Sequence, residues 1–216
     1  MSTLSDNELW AHIHAERARL AEDLSRLSRE QWRHETLCGQ WDVEQVVAHL
    51  TAAASLGQWR WLRSMLGARF RPDVHNQRRL DEYRGQTPAE TLDTFTAVVN
   101  ATVAPSKDIA AYLGEVVVHA TDIRHPLGID NVPSVEALTP VAHFFARRNF
   151  TVNSRTLVSG LQLRAIDGPF AAGEGPLVRG TTLALVMSMA GRAAFLDDLE
   201  GPGVATLRHR ITNASG

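Results

Sequence analysis

Glu115 and His119 stand four residues apart in Gly114-Glu115-Val116-Val117-Val118-His119-Ala120. On a helix that spacing stacks a carboxylate and an imidazole one turn apart on the same face. Both are metal-ligand types, and stacked this way they can hold one divalent cation. Far upstream, Ala48-His49-Leu50 offers a third ligand from another helix. Two ligands on one helix and one on a neighbour give a three-ligand site with an open coordination position, the catalytic pattern for zinc. A plainer reading stands beside it: Glu115 accepting from His119 or Arg124 as a structural pair, and His49 as a core-edge histidine with a satisfied hydrogen bond. Spacing alone does not choose between them.

Other chemistry finds less support. Gly173-Glu174-Gly175-Pro176 matches neither a dinucleotide fingerprint nor a P-loop and reads as a loop. There is no Gly-x-Ser-x-Gly elbow. Ser188 lies inside an apolar helix, where packing explains it better than nucleophilic attack. Cys38 belongs to no Cys-x-x-Cys pattern.

The elements that must position these residues can be read from caps and periodicity. Ser5-Asp6-Asn7-Glu8 is a capping box opening a helix whose Leu9, Ile13, Leu20, Leu24 and Leu27 form an apolar stripe, with charged residues on the other face. His12 and His14 read as surface residues. Ser28-Arg29-Glu30-Gln31 caps a short turn. Asp42, with Gln45 three residues on, caps a second long helix carrying Val43, Val46, Val47, Leu50, Ala54, Gly57 and Trp61 inward and His49 at the stripe's edge. Residues 67 to 86 are polar and basic, a loop or broken helix. Thr87-Pro88-Ala89-Glu90 starts a third helix, with Leu92, Phe95, Val99 and Val103 inward and Pro105-Ser106 at its end. The fourth runs from about Asp108 to Arg124 and stops at Pro126-Leu127-Gly128. Four such helices make a four-helix bundle.

Residues 134 to 150 read as one more helix, connecting or packing outside the bundle. Gly160 to Ile166 alternates apolar and polar residues as a strand does, Asp167-Gly168-Pro169 turns, one or two short strands follow, and Thr181 to Ala190 is an apolar helix before Gly191. The expected fold class is therefore α+β: a helical bundle over 1–152 and a small α+β domain over 153–216.

Composition narrows the function classes. The 22 basic and 24 acidic side chains among 216 residues leave a net charge of −2, so no basic field for nucleic acid is expected. The apolar run around Leu183 to Ala190 is too short to span a bilayer, and Met1 to Asp6 lacks the regions of a signal peptide. The single cysteine excludes an internal disulfide and fits a reducing cytoplasm, the expected location. The oligomeric expectation is a monomer or weak homodimer.

Trp41-Asp42-Val43-Glu44-Gln45-Val46-Val47-Ala48-His49-Leu50, with the stretch from Gly114 to Gly128, resembles the mycothiol-dependent maleylpyruvate isomerase family, part of the wider DinB-like group of metal-binding four-helix bundles. Leu163-Arg164-Ala165, the stretch Gly173 to Gly180 and Gly191-Arg192 resemble its C-terminal domain. The helix start after Trp41 departs from the family, which more often has Thr or Ser and then Arg-Asp. The resemblance implies that His49, Glu115 and His119 are the ligands of zinc or another divalent metal. It implies mycothiol, a low-molecular-weight thiol, at the fourth position, where the metal deprotonates it. The thiolate would add to an electrophilic small-molecule substrate, with cis-trans isomerisation of maleylpyruvate or S-transfer as the outcome. Arg79 is the first choice for a substrate carboxylate, with Arg78 and Arg84 in competition. Arg124 would hold the thiol cofactor or cap its helix. Asp122 would orient a ligand or lie on the surface. The alternative is a non-catalytic protein that binds a metal or a small apolar ligand, and a weaker one is a bundle whose histidines bind nothing.

Overall fold

The structure, a computed structural model, describes residues 4–39, 41–55, 82–103, 108–150 and 152–214. It divides into two compact units, Ser5–Asn131 and Val132–Gly216. The α+β class expected from the sequence is the class observed.

Among the described residues, the first unit contains four α-helices: α1 (Asp6–Ser25), α2 (Val43–Ser55), α3 (Pro88–Ala97) and α4 (Ile109–Arg124). Each of α1 and α2 packs against both α3 and α4. The caps read from the sequence are present. Ser5 and Glu8 form a reciprocal box at α1, Asp42 and Gln45 at α2, and Thr87 accepts from Glu90 ahead of Pro88 at α3. These side chains satisfy amide groups that a helix start leaves without partners. The core is filled by Ile13, Leu20 and Leu24 of α1, Val43, Val46, Val47 and Leu50 of α2, Phe95 of α3, and Leu113, Val116, Val117 and Ile123 of α4.

Two expectations fail in this unit. The charged residues of α1 do not all face water: Glu16, Arg17 and Asp23 are buried beside the leucines. The third helix ends at Ala97, well before Pro105, and Val103 is exposed. Arg17 accounts for the early end. Its guanidinium donates to the carbonyls of Val98, Val99 and Ala101 and to the Tyr112 hydroxyl. A cation on those carbonyls stabilises the turn in place of another round of helix.

The second unit begins at Val132 and includes the helix α5 (Val135–Arg147). Among the described residues it also contains the single turn α6 (Ser154–Leu157), strands β1 (Gln162–Ala165), β2 (Ala171–Ala172) and β3 (Leu177–Gly180), helices α7 (Thr182–Met189) and α8 (Val204–Ala214), and a 3-10 helix, Ala193–Asp198, between these last two. The sheet order is β2-β1-β3, β1 pairing antiparallel with β2 and parallel with β3. Leu163 and Ala165 point into the core while Gln162 and Arg164 are exposed, which is the alternation seen in the sequence. Helix α7 is apolar on every side because α5 and the sheet both cover it. The glycines of the 173–175 loop serve backbone approach. A Cβ on Gly173, at φ +72°, would lie 2.2 Å from the Leu161 carbonyl oxygen.

Candidate metal centre

Helix α4 carries Glu115, His119 and Asp122 at steps of four and three, which sets them along one face. Its placement against α1 is fixed by buried charge. Arg124, 2% exposed, donates from Nε to Asp23 Oδ2 at 2.8 Å and from Nη1 to Glu16 Oε2 at 3.3 Å. At the other end Tyr112 bonds to Arg17. Helix α2 brings His49 to the same face of α4, and Glu44 anchors the chain beside α2 by accepting from Arg84 at 3.0 Å and from Thr91 at 3.1 Å.

A tied loop supplies two more side chains. Trp41 O accepts from both the amide and the hydroxyl of Thr36, the Cys38 amide donates to that hydroxyl, and Val43 N donates to His34 O. Leu37 N donates to the backbone oxygen of Asp122 at 3.1 Å, which fastens the loop to α4. Cys38 and Trp41 are thereby held at His119.

His49 Nε2 lies 3.0 Å from Glu115 Oε1. The His49 and His119 rings meet edge to face, their centroids 5.0 Å apart at 80°. Ligand atoms of His49, Glu115 and His119 all lie within 4.8 Å of one another, and so do those of Cys38, His119 and Asp122. Asp122 Oδ2 is 3.1 Å from His119 Nδ1. The Trp41 ring packs over both histidines, at 5.0 Å from His49 and 6.5 Å from His119.

These contacts set the charges. Burial pushes the Glu115 carboxyl up, but the hydrogen bond and charge of His49, with smaller help from His119 and Arg17, hold it below its usual value. Burial pushes the His119 imidazole down, and the hydrogen bonds to Asp122 and Cys38 more than reverse this, raising it to about 10.

The structure thus brings His49, Glu115 and His119 together. Asp122 is wholly buried rather than on the surface. Arg124, in the last turn of α4, donates to Asp23 and Glu16, so its side chain ties α4 to α1. Arg79 and its competitor Arg78 lie outside the described residues, and Arg84 is paired with Glu44. Sequence reading missed Cys38 and Trp41 as parts of this cluster. They sit in a loop without periodicity, where only the turn-forming Gly39 between them, at φ +73°, marks a fixed conformation.

The helical bundle thus gathers two imidazoles and a carboxylate from two helices, a group that could hold a metal ion. Residues 13–97 match the family model described as the mycothiol maleylpyruvate isomerase N-terminal domain. The matched stretch includes His49 and ends before Glu115 and His119. Two crystal structures of mycothiol-dependent maleylpyruvate isomerase, one of them a point mutant, share the fold. The TM-score is 0.62 to each, with 18% identity to the first and 17% to the mutant, over 94% of this chain and 96% of the other. No curated protein matches the chain. No helix among the described residues is long and apolar enough to cross a membrane.

Proposed function

We propose that this chain is a metal- and thiol-dependent enzyme of the maleylpyruvate isomerase type. The observation that carries the reading is the convergence of His49, Glu115 and His119, with ligand atoms within 4.8 Å of one another. The donor set fits a divalent ion such as zinc: two imidazoles and a carboxylate are a recurrent three-ligand set that leaves a position open. His119 has Nδ1 engaged by Asp122, so Nε2 is the nitrogen left to bind. Glu115 is held as a carboxylate, the form that ligates.

A bound metal would lower the pKa of a small thiol such as mycothiol and so supply a thiolate able to add to an electrophilic substrate such as maleylpyruvate. The chain's own residues do the rest. Asp122 fixes the tautomer and direction of His119. Trp41 covers the two imidazoles with an apolar face and limits the water around them, which strengthens their electrostatic interactions. Arg17 and Tyr112, buried behind Glu115, hold the first turns of α4 in place. Arg79 remains our candidate for a substrate carboxylate, on the bidentate geometry of arginine.

The test is metal content of the protein without a histidine tag, beside His119→Ala. About one equivalent of zinc is expected in the first and little in the second. The zinc-loaded protein is then expected to consume or recycle mycothiol with an electrophile, recycling marking an isomerase and consumption a transferase. No metal in either protein after reconstitution overturns the reading.

A further inference from the structure

Cys38 is half-buried and has its sulfur, a nitrogen of His119 and an oxygen of Asp122 within 4.8 Å of one another. The mechanism above uses Asp122 only to orient His119 and does not use Cys38. We propose that Cys38, His119 and Asp122 form a second cation site, selective for soft divalent ions, which is an alternative to the first because both need His119.

The donor types carry the selectivity. The first set offers two imidazoles and a carboxylate; the second offers a thiolate, an imidazole and a carboxylate, and sulfur favours softer ions such as cadmium or zinc over harder ones. The geometry suits an ion in place of a proton. His119 Nδ1 and Asp122 Oδ2 are 3.1 Å apart, close to the roughly 3.3 Å that separates two tetrahedral zinc ligands with bonds of about 2.0–2.1 Å. The loop does not have to move far to deliver the sulfur, because Thr36 and the Leu37–Asp122 backbone bond already hold it at α4.

The exclusivity follows from the imidazole. A neutral ring has one nitrogen with a free lone pair and one N–H. With Nδ1–H donating to Asp122, Nε2 is available to the His49 and Glu115 side. With an ion on the Asp122 side, Nδ1 gives the lone pair and Nε2 carries the proton. His119 therefore serves one set at a time. The competition rests on the metal reading above, while the existence of the second site does not.

The probe is cadmium, titrated into the tag-free protein and its variants and followed by the ultraviolet thiolate-to-cadmium absorption and by native mass spectrometry. His49→Ala impairs the first set and leaves the second intact. It is expected to take up one cadmium with the thiolate absorption. Adding Cys38→Ser is expected to abolish the absorption and weaken binding at least tenfold. Wild type is expected to show the absorption as well, and Cys38→Ala serves if the serine variant does not fold. Cadmium bound to His49→Ala without the absorption, or with equal affinity in the double variant, overturns the proposal. Failure of Cys38→Ser to bind zinc instead counts against the first site, so the two failures are distinguishable.

Discussion

Asp122 Oδ2 lies 3.1 Å from Nδ1 of His119, one turn further along the same helix, and its side chain is wholly buried. A carboxylate in that position fixes which nitrogen of the imidazole carries the proton and holds the ring's direction. Asp122→Ala is expected to lower zinc affinity by about 10–100-fold. Asp122→Asn, whose amide oxygen still accepts from Nδ1, is expected to lose less. Competition with a chromophoric chelator measures both, and wild-type affinity in Asp122→Ala would leave the residue a packing role only.

Glu115 gives the metal-free protein an acid-sensitive contribution to stability. Its carboxyl is held below the ordinary value of 4.5, burial being outweighed by the hydrogen bond and charge of His49. A carboxyl with a depressed folded-state pKa stabilises the fold fully above its unfolded value and loses that contribution as pH falls through the folded value. Melting temperature of the metal-free wild type is therefore expected to fall more steeply below about pH 4.5 than that of Glu115→Gln. Parallel curves for the two proteins would show that Glu115 gains nothing from His49.

Helix starts were legible because a cap is a local event: Ser5 with Glu8, Asp42 with Gln45 and Thr87 with Pro88 need only neighbours in sequence. The stacking of Glu115 and His119 was legible for the same reason. What the sequence hid depends on distant partners. Glu16, Arg17 and Asp23 look like a solvated face, and distant partners such as Arg124, Asn131, Tyr112 and the carbonyls just after α3 receive them in the interior. The tie that Arg124 makes to α1 was hidden because its partners lie about a hundred residues away. Cys38 enters the site through a loop whose shape is set by Thr36 and by the Asp122 backbone, and no spacing rule records that.

Removal of Arg124 tests the structural role the geometry gives it. Arg124→Ala would leave the buried Asp23 carboxylate without its cation and Glu16 with Arg19 alone, and breaking such a buried pair costs about 3–5 kcal/mol. Urea denaturation is expected to show a loss of that size. Arg124→Met, which restores bulk but not charge, is expected to lose stability too, while any folded protein keeps its zinc affinity and its dependence on thiol concentration. A rise in the thiol concentration needed, without a loss of stability, would instead make Arg124 a cofactor contact.

His119 links metal uptake to protons. In the metal-free protein burial pushes its imidazole down, but Asp122 and Cys38 raise it to about 10, so the ring is an imidazolium at neutral pH. The stability this brings is fully present below the unfolded value near 6.5 and is lost as pH rises through about 10. An imidazolium has no lone pair, so an ion at Nε2 must expel one proton. Zinc affinity is therefore expected to rise about tenfold per pH unit between about 6.5 and 10 and to level off above. Calorimetry in buffers of different ionisation enthalpy is expected to count about one proton from this residue on zinc binding near neutral pH, beyond that released in parallel titrations of His119→Gln. An affinity that stays flat from pH 7 to 9 would mean that His119 is already neutral there and that Asp122 orients the ring without charging it.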